Sequence, residues 1–304
     1  MKKRVAYLFD ASDAVGLGHY ARVRAMRHWL CQVFGNDNST FGWCDGIFYP
    51  NKIYDEDINF CNTSQLLAQV KSFSPDVIVI DSYDIAQLRV VANHIDTPVK
   101  LAFAEAFSIQ WVSGFNILLD PTLMCVGMDR PERFITGVDA ILLNKENYLY
   151  SSVINHCLRG VFYNCGNSEM AGQLLLSLRY KDFLGEGLEI KPGSSFGLFN
   201  VENHADVSIG DLNRHSSEVL VSAGQALWEA TVNRDSFYIA ALTASHCDLL
   251  ERLQLHGVLT LSQVTATGAS KFPIFHCAPS VHIRQRLREP SESVRKIARA
   301  ILMD

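Results

Sequence analysis

Apolar residues in this chain fall into short, near-continuous runs separated by stretches of helical spacing. The runs at 4–10, 76–81 (Asp-Val-Ile-Val-Ile-Asp), 99–104, 115–119 and 140–143 lack the alternation of a strand with one wet face. They predict parallel strands covered on both sides. Between them, 19–34, 63–73 and 84–94 carry apolar residues at helical spacing, as in Val23, Met26, Leu30 and Val33. After a linking segment at 145–158 a second series begins. Its strands are expected at 159–165, 195–201, 218–222 and 236–242, its helices at 168–180, 225–233 and 246–256, and an amphipathic helix closes the chain at 288–302. Strand–helix alternation of this kind predicts an α/β fold built of βαβ units. A length of 304 residues fits two such halves, divided here as 1–150 and 151–304, with a cleft between them.

Composition narrows the class. Hydrophobic residues make up 48% and charged residues 19%, the balance of a folded chain. A net charge of −5 and a pI near 6.1 give no general pull toward nucleic acid or an anionic membrane. Any anion must then be held locally. The N-terminal Met1-Lys2-Lys3-Arg4 is basic, but the apolar run behind it stops at Asp10, too soon for a secretory signal. No run reaches the roughly 18 apolar residues of a membrane span. The eight cysteines form no CxxC pair and no regular framework. That argues against a structural zinc site and for a reducing, cytoplasmic setting. Neither a cofactor nor a metal is expected.

The chemistry is concentrated where strands end. Gly16-Leu17-Gly18-His19-Tyr20-Ala21-Arg22 lies between the first strand and the first helix. Strand, glycine loop and helix form the geometry that presents backbone N–H groups to a phosphate. Gly16 and Gly18 permit close backbone approach, although a plain tight turn explains them as well. His19 falls in the first helical turn, where the helix dipole disfavours its protonation and suits a neutral imidazole acting as a base. Asp10 and Asp81 end their strands and either support His19 or substrate hydroxyls, or cap the segments that follow. Tyr83 either orients a sugar or packs.

The second half repeats the logic at Ser222-Ala223-Gly224-Gln225, which leads into a helix carrying Glu229. Free amides there suit a diphosphate, and Glu229, a turn further on, suits ribose hydroxyls; a Ser/Gly turn and a surface glutamate are the plainer alternative. The Asn164–Glu169 stretch, with Gly166 and Asn167, is another loop-to-helix opening that capping alone explains. His246 reads as a cap or surface residue. Neither glycine loop has a Walker lysine or a full GxGxxG pattern, which disfavours ATPase and dinucleotide oxidoreductase chemistry.

Gly16–Arg22 matches the pattern G-x-G-H-x-x-R, and with Val79–Tyr83, Leu118-Leu119-Asp120 and Val221-Ser222-Ala223 through Glu229-Ala230 to Gly257 the chain resembles a known family. This is the UDP-sugar hydrolase family of pseudaminic acid biosynthesis. It is similar in turn to GT-B glycosyltransferases, which have two facing Rossmann domains, the peptidoglycan N-acetylglucosaminyl transferase among them. The resemblance implies metal-independent, inverting hydrolysis of a UDP-2,4-diacetamido-2,4,6-trideoxyhexose for nonulosonic acid synthesis. It implies His19 as the catalytic residue, Tyr83 as a partner on the sugar and Glu229 as the ribose contact. Asp10, Gly16, Gly18, Arg22, Gly166, Asn167, Ser222, Gly224 and Gln225 complete the expected substrate-binding set.

The nucleotide half departs from the family more than the catalytic loop does. Cys165-Gly166-Asn167-Ser168-Glu169 replaces a glycine pair followed by Thr or Ser and Asp. Trp228 stands where an asparagine precedes the glutamate, His246 where a glutamine is usual, and Ser82 where a histidine follows the aspartate. Two alternatives therefore stay open: a GT-B glycosyltransferase, and a degenerate relative that binds a nucleotide sugar without turnover. The expected partner is a UDP-activated amino sugar, not nucleic acid.

Overall fold

The computed structural model describes residues 2–11, 18–45, 57–82, 84–103, 114–123, 134–144, 161–163 (backbone), 219–263 and 272–303. Two compact units divide the chain, one of Met1–Asn144 with Glu289–Asp304 and one of Lys145–Arg288.

The first unit is a seven-stranded sheet. Its strands are β1 (Val5–Asp10), β2 (Asn38–Trp43), β3 (Ile58–Cys61), β4 (Val77–Asp81), β5 (Val99–Phe103), β6 (Ile117–Asp120) and β7 (Phe134–Thr136). They run in the order β3-β2-β1-β4-β5-β6-β7, every neighbouring pair parallel. This is the doubly wound order, which reverses direction between β1 and β4. Helices α1 (Gly18–Phe34), α2 (Thr63–Phe73) and α3 (Ile85–His94) connect the first strands. Side chains of β1 alternate between two apolar layers. Val5, Tyr7 and Phe9 pack in one with Val23, Met26 and Leu30 of α1. Ala6 and Leu8 pack in the other with Leu66 and Val70 of α2 and Leu88 and Val91 of α3. Both faces are dry, which is why β1 reads as an unbroken apolar run.

The second unit holds a five-stranded sheet ordered β11-β12-β10-β9-β8. Strands β8 (Val161–Tyr163), β9 (Val219–Ser222) and β10 (Phe237–Ala240) are parallel. Strands β11 (Leu259–Gln263) and β12 (Ile274–Pro279) add an antiparallel edge. Helices α4 (Gln225–Asn233), α5 (Ala244–Leu255) and α6 (Val281–Arg288) complete what is described of it. The closing helix α7 (Ser291–Leu302) returns to the first unit. Val294, Ile297, Ala298 and Ile301 join the α1 face of its core, and Lys296 Nζ donates to Asp139 Oδ2 at 2.5 Å.

Several sequence expectations need correction. Residues 140–143 form no strand: Gly137, at φ 62°, turns the chain out of β7 into a 3-10 turn at Gly137–Ala140. Ala140, Ile141, Leu142 and Leu143 are buried there without a ladder partner strand. The closing helix expected at 288–302 is present from Ser291 to Leu302, and the separate helix Val281–Arg288 before it is not expected from the sequence. Strands β2, β3, β7, β11 and β12 are not among the expected strands. The strand expected at 195–201 and the helix at 168–180 lie outside the described residues.

Among the described residues, Cys31, Cys44, Cys61, Cys247 and Cys277 form no disulfide. Burial pushes Cys277 up to about 12, and burial with nearby Asp45 pushes Cys61 to about 12. Neither is a nucleophile at neutral pH. No helix of the described residues is long and apolar enough to cross a membrane.

Candidate active site

The sheet of the first unit places its chemistry at the carboxyl ends of β1 and β4, where the strand order reverses. Phe9 pairs with Asp81, so Asp10 lies one residue beyond that pair on the neighbouring strand. Asp10 is 6% exposed and Asp81 fully buried. After β1 the chain enters α1, whose first residue is Gly18 and second is His19. His19 is only 1% exposed although it occupies the first turn of a helix.

Asp81 gathers the neighbouring charges. Its Oδ1 lies 2.6 Å from His19 Nδ1 and accepts from Arg22 Nη2 at 2.9 Å; its Oδ2 accepts from Arg22 Nε at 2.6 Å. The His19 and Arg22 side chains project from one face of α1 because they are three residues apart. Arg22 also stacks over Phe103, its Cζ 5.4 Å from the ring centroid. Burial by itself raises the Asp81 carboxyl. The Arg22 charge, then His19 and the hydrogen bonds from both, outweigh burial and hold the group below the usual carboxylate range. Asp81 is therefore an ionised acceptor and not a cap. The following helix is capped by Asp84, whose Oδ1 accepts from Ala86 N at 2.7 Å.

In the second unit, β9 ends at Ser222 and α4 starts at Gln225, with Ser222 and Gln225 each 4% exposed. Gln225, Ala226, Leu227, Trp228, Glu229, Ala230, Thr231 and Val232 are all buried. Glu229 is thus an interior carboxylate, at 0% exposure, and the surface alternative for it fails. Among the described residues the Gln225 amide nitrogen has no hydrogen-bond partner. A β-carbon added at Gly18 or Gly224 meets nothing within 4 Å, so packing does not require a glycine at either helix start. His246 serves its own loop. Its Nδ1 accepts from Leu242 N at 3.1 Å, and burial drives the imidazole down to about 4.

Of the residues expected from sequence, Asp10, Gly18, His19 and Arg22 collect at one sheet end of the first unit. Ser222, Gly224, Gln225 and Glu229 collect at β9–α4 of the second. Gly16, Tyr83, Gly166 and Asn167 lie outside the described residues. The Arg22–Asp81 pairing was not anticipated. The signal for it is an aspartate closing an apolar strand, with histidine and arginine three apart on α1. Among the described residues no three His, Cys, Asp or Glu side chains gather as a metal ion requires.

No family model matches the chain, and no curated protein does. Solved structures do. MurG of Acinetobacter baumannii aligns with a TM-score of 0.50 and 12% identity over 98% of this chain and 98% of its own. The spinosyn forosaminyltransferase SpnP aligns with a TM-score of 0.50 and 11% identity over 100% of this chain and 95% of its own. The fold is of the GT-B type. An alpha-glucosyltransferase bound to UDP-glucose and abasic DNA matches more loosely, with a TM-score of 0.41 and 10% identity over 73% of this chain. The chain spans 57% of that protein's length. At such identities these likenesses establish architecture alone.

Proposed function

We propose that the protein is a nucleotide-sugar hydrolase that releases UDP from a UDP-2,4-diacetamido-2,4,6-trideoxyhexose, with His19 as general base. The observation that carries the reading is the buried His19, held against Asp81 at the switch point of a doubly wound sheet. Ligands of open α/β sheets bind at that end. In this reading His19 takes a proton from water as its oxygen attacks the anomeric carbon. The bond from that carbon to the diphosphate breaks, and UDP leaves with the electron pair. The backbone N–H groups in the first turn of α4, with the Gln225 amide, suit the diphosphate. Glu229 holds the ribose.

The open space at Gly18 and Gly224 supports this division of work: a glycine that packing does not need suits backbone approach to a ligand. The test is UDP release with water as sole acceptor and a chelator present. Stoichiometric UDP and free sugar support the reading; a bound but unconsumed substrate contradicts it.

A glycosyltransferase is the second reading, favoured by the full-length likeness to a protein named as a forosaminyltransferase. It predicts UDP release that depends on an added sugar or lipid acceptor and is negligible in water alone.

A further inference from the structure

We infer that Asp81 and Arg22 are positioning residues that fix His19 as the Nδ1–H tautomer and so make Nε2 the nitrogen that accepts the proton. The inference rests on the proposed role of His19 but concerns this chain's own hydrogen bonds. Two nitrogens, His19 Nδ1 and Arg22 Nη2, meet at Asp81 Oδ1. An ionised carboxylate only accepts, so the 2.6 Å contact to His19 Nδ1 requires a hydrogen on that nitrogen. Arg22 Nη2 also lies 3.1 Å from Nδ1. Both are then donors, and the guanidinium N–H is directed to Asp81 Oδ1 at 2.9 Å.

The alternative tautomer would give Nδ1 a lone pair facing a carboxylate at 2.6 Å, an electrostatic clash inside the protein. The bidentate Arg22 contact removes the remaining freedom of Asp81: Nε and Nη2 grip one oxygen each, a geometry lysine cannot copy. Phe103 beneath the guanidinium keeps the fork in plane.

Chemical consequences follow for the reaction. The water O–H bond breaks, its proton goes to Nε2, and its oxygen bonds to the anomeric carbon. The resulting imidazolium is stabilised by the Asp81 carboxylate. Arg22 keeps Asp81 charged, so the proton stays on the ring and is not passed to the carboxylate. This is the logic of a carboxylate that orients a histidine, with an arginine added behind the carboxylate.

The experiment is nitrogen-15 NMR of histidine-labelled full-length protein, with His19 assigned by a His19→Gln variant, in wild type, Asp81→Asn, Arg22→Met and Arg22→Lys. The expected wild-type spectrum shows Nδ1 protonated and Nε2 as the bare nitrogen at high pH. Asp81→Asn and Arg22→Met shift the signals toward mixed or Nε2–H tautomers, while Arg22→Lys retains part of the bias. A wild-type Nε2–H spectrum, or one unmoved by Asp81→Asn, overturns the inference. Turnover is read separately. Asp81→Asn is expected to lower kcat about 100-fold or more with KM little changed. A tautomer that follows Asp81 in a protein that releases no UDP retains the inference and sinks the hydrolase reading alone.

Discussion

Asp81 closes β4 with its carboxylate 2.6 Å from Nδ1 of His19, a residue 62 positions earlier in the chain. Neither residue reaches solvent to any extent. Their meeting depends on β1 and β4 being neighbours, so the contact exists only once the central pair of the sheet has formed.

That burial has a pH consequence. The Asp81 carboxyl is held below its usual range in the fold. A depressed acid pKa contributes stability that is complete above the unfolded-chain value near 4 and is lost as pH falls through the lower, folded value. Urea unfolding from pH 6 down to pH 3 should therefore lose stability steeply in wild type. Asp81→Asn, less stable at pH 6, should show a flatter acid limb; parallel curves would refute the assignment.

Gly18 tests whether its loop exists for a ligand. A β-carbon there meets nothing within 4 Å, and its φ is not in the left-handed region. Gly18→Ala should leave Tm equal or slightly higher, since alanine favours helix by up to about 1 kcal/mol. UDP-sugar binding should weaken at least several-fold. A lower Tm with unchanged binding would make the glycine structural.

Gln225 permits the complementary test in the second unit. Replacing an orphaned buried donor with an apolar group of similar shape is close to neutral or stabilising. Gln225→Met should keep Tm within a few degrees and weaken UDP binding in calorimetry. Unaltered affinity would remove the amide from the site.

Ile297 tests the return of the closing helix. It is fully buried in the core shared with α1 and β1. Ile297→Ala should cost about 2–5 kcal/mol. The loss should appear in hydrogen exchange of β1 and β4 before β9 and β10. Equal loss in both sheets would contradict the assignment of this helix to the first unit.

Much of this was legible in the sequence, for physical reasons. Strands β1 and β4 are buried on both faces, so Val-Ala-Tyr-Leu-Phe and Val-Ile-Val-Ile announce themselves, and α2 coincides with its expected span at 63–73. The strands that were missed carry mixed patterns. In β11 only Leu259 is buried, and in β2 Asn38 and Ser39 are polar and half-buried. His19 was found from its place after a glycine loop. The sequence leaves the bond to Asp81 open, because an aspartate at a strand end can equally cap the segment that follows, and only the pairing of β1 with β4 decides. The return of α7 had no local signal: an amphipathic stripe shows that a face is buried, not against which unit.

The measurement that bears most directly on the central claim is UDP release from the UDP-activated 2,4-diacetamido-2,4,6-trideoxy sugar by wild type and by His19→Ala, in water with chelator. The account predicts release by wild type, and for His19→Ala retained UDP binding with turnover lowered at least about 100-fold. Undiminished release by His19→Ala, or none by wild type, would contradict it.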